Sequence, residues 1–266
     1  MRVFFKAFGM NLKVFLAYPR GLLISVIIFP IVMVLNIFLF TSIFSYNGTT
    51  HILGFDLTQM IWYYGVTMFV WVFTYNFADQ RMSNYILSGE LAVLLMRPMP
   101  LFRYEFASAS ALRTAAVICE FVPVMAIFSL LRPPTFLTWG SFGMFLVIIV
   151  LAFGLQFLLN FIVGLSAVLT QNNAGIARLV NAMLTVLGGA VIPLDYFPDA
   201  LQRICAYLPF QYIFYEPVRF FIRHGDTSAL AWGQAVLIQL GWIVGLYAVI
   251  RILWALLLKK IVVAGG

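Results

Sequence analysis

The sequence predicts an all-α, polytopic membrane protein. It would have six transmembrane helices, an amphipathic interfacial helix ahead of the first, and short re-entrant helices between the fifth and sixth. Three observations carry this reading. Of 266 residues, 64% are hydrophobic and only 9% charged. Soluble domains average about 25% charged, so this chain cannot cover a water-facing surface. Its apolar residues gather in runs of roughly 18 to 30, enough to cross an about 30 Å hydrocarbon core as helices. Finally, the 16 Lys and Arg residues sit at the ends of those runs rather than in one block. They read as topology determinants, and despite a net charge of +7 no nucleic-acid surface is expected.

The elements follow in order. Residues 1–20 form the clearest amphipathic stretch: at 100° per residue Arg2, Lys6, Lys13 and Arg20 share one sector, opposite Phe4, Phe8, Leu12 and Phe15. Such a helix would lie in the interface before Pro19 turns the chain inward, either as a plain positive anchor or with a further role. Spans are then expected at about 21–44, 58–78, 106–131, 141–170, 176–193 and 231–258. The fourth, uncharged for 30 residues and so about 45 Å long as a helix, must tilt, kink or overshoot. All cations except Arg132, Arg203, Arg219 and Arg223 then fall on one side, which places both termini in the cytoplasm.

Two segments outside the spans stand out. In the cytoplasmic loop 79–105, Ile86, Leu87, Leu91, Leu94 and Leu95 have helical spacing, and Pro98 and Pro100 end the pattern. A short helix there would dock into a partner's groove or lie on lipid. The outer segment 194–230 holds Pro198, Pro209 and Pro217 among many aromatics. It is too apolar for a free loop and too interrupted for a span, so short re-entrant or interfacial helices capping the outer face are expected.

No nucleotide-binding P-loop, zinc-protease or nucleophile-elbow motif is present, and Cys119, Cys205, His51 and His224 fit no metal spacing. No reaction or cofactor of the chain's own is expected. Glu120 is the most informative single residue. Deep in the third span, it must face protein or a wet cavity, either to meet a cationic or polar substrate or to bond Gln156, Asn160 or another subunit. Asn36, Asn181, Gln234 and Gln239 read mainly as interhelical glue, and Ala107, Ala111 and Ala115 as a close-packing face.

Two stretches carry a resemblance: Ile86-Leu-Ser-Gly-Glu-Leu-Ala-Val-Leu-Leu-Met-Arg-Pro98, and Ile192-Pro-Leu-Asp-Tyr-Phe-Pro198 with Leu208-Pro-Phe210. Together with the cationic N-terminal helix and the six expected spans, the chain resembles type-2 ABC exporter permeases, most of all the viologen- or drug-exporter-like subgroup. The resemblance covers nearly the whole chain, 1–266, as one transmembrane domain. It implies an elbow helix at Arg2, Lys6, Lys13 and Arg20. It also implies a coupling loop in which Ser83, Ile86, Leu87, Gly89, Glu90, Leu91, Leu94 and Arg97 meet a separate ATPase, Glu90 and Arg97 making the polar contacts. Pro193, Phe197, Pro198 and Pro209 would belong to an extracellular gate.

The same resemblance implies two ATPase subunits that bind ATP and magnesium, and a second six-helix permease, the same chain or a different one. Membrane lipids would surround the assembly in the bacterial cytoplasmic membrane. An amphiphilic or cationic small molecule would pass between the first, second and fifth helices of the two permeases, with Asn36, Tyr63, Glu120 and Asn181 as pathway candidates. The alternative is a self-sufficient, proton-coupled secondary carrier, for which Glu120 alone is a thin relay and no internal repeat is visible.

Overall fold

The computed structural model describes residues 2–17, 20–97, 99–170 and 172–258. Pro19, Pro98, Lys259 and Lys260, and the side chains of Arg2 and Arg20, lie outside the described residues. The chain is nearly all helical. Helix α1 (Arg2–Leu16) runs along the later helix α6 instead of lying alone on lipid. Its buried Ala7 and its Phe4 ring, 6.4 Å from that of Phe106, make the contact, while Lys6 and Lys13 stay exposed. The helix is amphipathic, with Phe4, Phe8, Leu12 and Phe15 half-buried on the face towards α6.

Helix α2 (Arg20–Asn47) buries Met33, Phe40 and Phe44 and exposes Ile31, Leu35, Phe38 and Leu39. It packs on α3 (Leu57–Thr74), where Gly65 gives room: a Cβ there would lie 2.6 Å from the Met33 methyl carbon. A hairpin of two-residue strands, β1 (His51–Ile52) and β2 (Phe55–Asp56), joins them through Leu53 and Gly54, both at positive φ. Asp56 and Gln59 then form a reciprocal cap on α3, at 2.7 and 3.1 Å.

Past a break at Tyr75 to Phe77 come α4 (Ala78–Leu87) and α5 (Glu90–Leu95). Helix α6 (Leu101–Ala116) continues through a π-helical turn at Val117–Phe121 into α7 (Val122–Leu131). Pro123 explains the turn: it has no N–H to give and its ring would clash with the carbonyl four residues back, so the ladder widens just before it. Helix α8 (Trp139–Leu165) is the axis of the molecule, packed by α3, α4, α12 and α13. The overlong fourth run is resolved by a break at Ser166, after which the short α9 (Ala167–Thr170) begins.

Helix α10 (Ala174–Leu187) stops six residues short of the expected end of the fifth span. Gly188 and Gly189 turn the chain there, Gly189 at φ +77°, where a side chain would press on Tyr215, Tyr63 and Leu194. The outer segment then forms a 3-10 turn (Leu194–Tyr196), an exposed α11 (Asp199–Ala206) and a buried α12 (Tyr215–Ile222), before α13 (Ala229–Leu258) closes the fold.

Among the described residues four helical stretches are long and apolar enough to cross a membrane: Ile27–Asn47, Leu101–Leu130, Trp139–Leu165 and Ala229–Leu257. The two other expected spans correspond to α3, rich in polar and aromatic residues and largely buried by its neighbours, and to α10, with only 14 residues. Two cores flank α8. One, beside α3 and α12, sets aromatic rings edge to face, with Trp62 4.8 Å from Phe128 and Phe145 5.1 Å from Phe221. The inner one joins Met82, Leu91 and Leu94 to Phe157, Phe161 and Ile250.

Candidate functional site

The end of the molecule that holds Arg81, Arg97 and Arg103 carries a helical knuckle. The sequence spacing suggests one helix through Ile86 to Leu95. The structure corrects this to two, α4 and α5, because Ser88 and Gly89 interrupt the ladder. Gly89 adopts φ +75°, a conformation only glycine takes without strain, and Ser88 Oγ accepts the Glu90 N–H at 3.3 Å. The bend lets one short segment do two things. Leu91 and Leu94 turn into the inner core, while Leu87, Gly89, Glu90, Val93, Leu95, Met96 and Arg97 face outward, with Val93 55% and Met96 78% exposed.

Of the residues expected at a coupling surface, Ser83, Leu91 and Leu94 are therefore buried, and they position the knuckle rather than present it. Ile86 is half-buried against the inner core.

Helix α4 is fixed to the bundle from two sides. On one, Gly164 of α8 lets it come so near that a Cβ would lie 2.5 Å from Met82 Cβ and 3.0 Å from the Asp79 carbonyl oxygen. Asn173 Nδ2 donates to that same Asp79 carbonyl at 3.2 Å. Burial pushes the Asp79 carboxyl above its usual range, against backbone hydrogen bonds that lower it. On the other side, Arg81 Nε donates to Glu105 Oε2 at 2.6 Å, and Tyr85 donates its hydroxyl to Glu105 Oε1 at 3.1 Å. Arg81 also reaches Ser108, whose hydroxyl donates to Asn11 Oδ1 at 3.1 Å.

One polar cluster thus joins α1, α4 and α6 around Glu105, which is 0% exposed. A buried carboxylate survives only when paired and hydrogen-bonded, and here three elements meet to do so. The sequence reading missed this cluster by treating Glu105 as the end of a loop. An acid inside an apolar helix was the available signal, the same one that drew attention to Glu120.

Glu120 lies in the π-helical turn, 8% exposed, and attracts Arg113 electrostatically. Arg113 is seven residues earlier on the same helix, donates to the Val72 carbonyl at 3.1 Å and lies over the Tyr75 ring. Gln156 and Asn160 join each other at 3.2 Å, and Asn160 donates to Asn76 in the break after α3. Of the other pathway candidates, Asn36 donates to its own helix at Val32 and Asn181 is exposed on α10. Tyr63 is fully buried and donates its hydroxyl to the Gly189 carbonyl, which ties α3 to the turn after α10.

At the opposite end, Pro193 and Pro209 are buried, Phe197 is half-buried and Pro198 exposed, beginning α11. The same segment carries a latch that the sequence did not show. Tyr215 donates to both Asp195 oxygens at 2.9 Å, and His224 Nε2 stands 3.3 Å from Asp195 Oδ1. The His224 ring stacks on Phe55 of the hairpin at 3.6 Å between centroids. Burial pushes the Asp195 carboxyl up, but the His224 and Tyr215 hydrogen bonds outweigh it and hold it below the usual carboxylate range. Three separate pieces of chain, 51–56, 194–196 and 215–224, are tied together there.

Long apolar helices around a buried axial helix define an integral membrane protein. A family model described as ABC-2 family transporter protein matches residues 30–265, and the chain belongs to that family. It is thus a type-2 ABC permease, a transport subunit of the membrane that implies an ABC ATPase partner in general. Membership does not favour the self-sufficient carrier. No curated protein matches the chain.

Proposed function

We propose that the chain is half of an ATP-driven exporter, with the α4–α5 knuckle docking on a separate ATPase. The observation that carries this is the exposed apolar face of Leu87, Val93, Leu95 and Met96 beside Glu90 and Arg97, mounted on a helix pair tied to α8, α6 and α1. An apolar, protruding face on a rigid base suits a groove in a partner. Because α4 joins α8 through close packing and α6 through Glu105, motion of the ATPase would be passed on as a rigid-body shift rather than absorbed in a loop. The ATPase, two copies per transporter, would bind ATP and magnesium and carry out hydrolysis.

A second permease, the same chain or another, is supported by α2 and α10, whose apolar side chains Ile31, Leu35, Phe38, Leu179, Met183 and Val186 are exposed. The pathway would run between them, past Asn36, Asn181 and Glu120. Counting α3 and α10 as spans gives six crossings. Both termini would then face the cytoplasm of a bacterial inner membrane, and α11 and α12 would form the re-entrant cap of an outer gate at Pro193, Phe197, Pro198 and Pro209. The aromatic, charge-poor spans favour an amphiphilic or cationic small molecule, as in the drug-exporter-like subgroup.

Isolation of the tagged chain from native membranes in mild detergent tests this proposal. The expected result is a co-purifying nucleotide-binding protein with ATP hydrolysis, lost when Val93 is replaced by Glu. Recovery of the chain alone, under conditions that preserve membrane complexes, would contradict it.

A further inference from the structure

A second site lies beside the knuckle, where the start of α6 meets the last turns of α13. A cavity of about 420 Å³ opens there, lined by Arg97, Arg103 and Arg251 over a wall that includes Phe102, Tyr247 and Trp254. No carboxylate is among its lining residues, and none of the three guanidiniums is ion-paired among the described residues. Arg97 only leans over the Tyr104 ring at 6.0 Å. All three are exposed. Arg251 belongs to one of the stretches apolar enough to cross a membrane. An arginine on such a helix must snorkel to the interface or meet a counter-charge.

We propose that this cavity binds the phosphate headgroup of an anionic phospholipid from the cytoplasmic leaflet. Both halves of that ligand are matched. Three unpaired guanidiniums suit phosphate oxygens, to which arginine donates bidentately, and the aromatic wall suits the glycerol and the first acyl carbons. Free phosphate has no use for the wall, and a soluble acidic peptide would not select an arginine carried by a membrane span. Basic pockets between transmembrane helices on the cytoplasmic side hold acidic lipid headgroups for these reasons.

The test is native mass spectrometry and thermal unfolding of the purified full chain with added phosphatidylglycerol, phosphatidylcholine of the same acyl chains, or inorganic phosphate. Phosphatidylglycerol should be retained and raise Tm, phosphatidylcholine should do neither, and inorganic phosphate should not displace the bound lipid. Retention should weaken about fivefold for each of Arg103→Gln and Arg251→Gln, about 25-fold for the pair, and be unchanged in Arg178→Gln. Equal retention of both lipids, displacement by inorganic phosphate, or an unaffected double variant would overturn the proposal.

If the double variant does not fold, wild-type chain labelled with photoreactive phosphatidylglycerol decides the matter. Adducts at 97–103 and 247–255 are expected, and adducts only elsewhere would refute the site. Loss of ATPase co-purification in the double variant with lipid retention intact would assign the cavity to protein instead, and would also overturn it.

Discussion

Glu105 shows how much a single side chain can organise. It is an acid with no access to solvent, and its two oxygens are shared between Arg81 and Tyr85 of α4. Replacing it by Ala strands the Arg81 guanidinium, one nitrogen of which is already buried without a partner. Removing one partner of a buried pair typically costs about 3–5 kcal/mol; with Arg81 26% exposed, the lower end is expected. Thermal unfolding in detergent should show that loss. Tyr63→Phe should cost less, about 1 kcal/mol, by leaving the buried Gly189 carbonyl without its donor.

The Asp195 carboxyl is held below its ordinary value. The group therefore stabilises the outer cap above the unfolded carboxylate pKa of about 3.9 and loses that contribution as pH falls through its folded value. The Tm difference between wild type and Asp195→Asn should narrow as pH falls below about 4.

At the scale of elements, Gly89 and Gly164 decide where the knuckle sits. Gly89→Ala places a side chain at φ +75°, with a strain of about 1 kcal/mol or more, and no neighbour lies within 4 Å of the new Cβ. The fold should survive while ATP hydrolysis uncouples from transport, which stimulated ATPase assays of the assembly would read. Gly164→Ala should do more, because Met82 and the Asp79 backbone stand where the methyl group must go.

These elements also mark the limit of what the sequence shows. Apolar run length finds α2, α6–α7, α8 and α13, since nothing but lipid or protein interior accommodates such runs. It overextends the fourth and fifth spans, because the Ser166 and Gly188–Gly189 breaks are set by tertiary contacts: α4 packing at Gly164, and Tyr63 with Tyr215 closing on Gly189. Helical spacing identifies the apolar stripe at 86–95 but not the bend, although Gly89 stood in its middle. The candidate site was legible as a surface. The polar cluster beneath it was not, because Asn11 and Arg81 lie far in sequence from Glu105 and Ser108.

For the whole molecule, the exposed apolar residues of α2 and α10 are on helices other than α4 and α5, so the account assigns them to a different partner. With a second copy of the chain as partner, cysteines introduced at Leu35 and Met183 should cross-link between copies in native membranes treated with a thiol oxidant such as copper phenanthroline, and not within one chain. The central claim is that the α4–α5 knuckle is where the ATPase binds. A photoreactive amino acid placed at Leu87 or Val93, and at Trp139 on the opposite end as the comparison, tests it directly in native membranes. The account predicts adducts with a nucleotide-binding ATPase from positions 87 and 93 and none from 139. Adducts from 139 alone, or a purified assembly in which 87 and 93 give none, would contradict it.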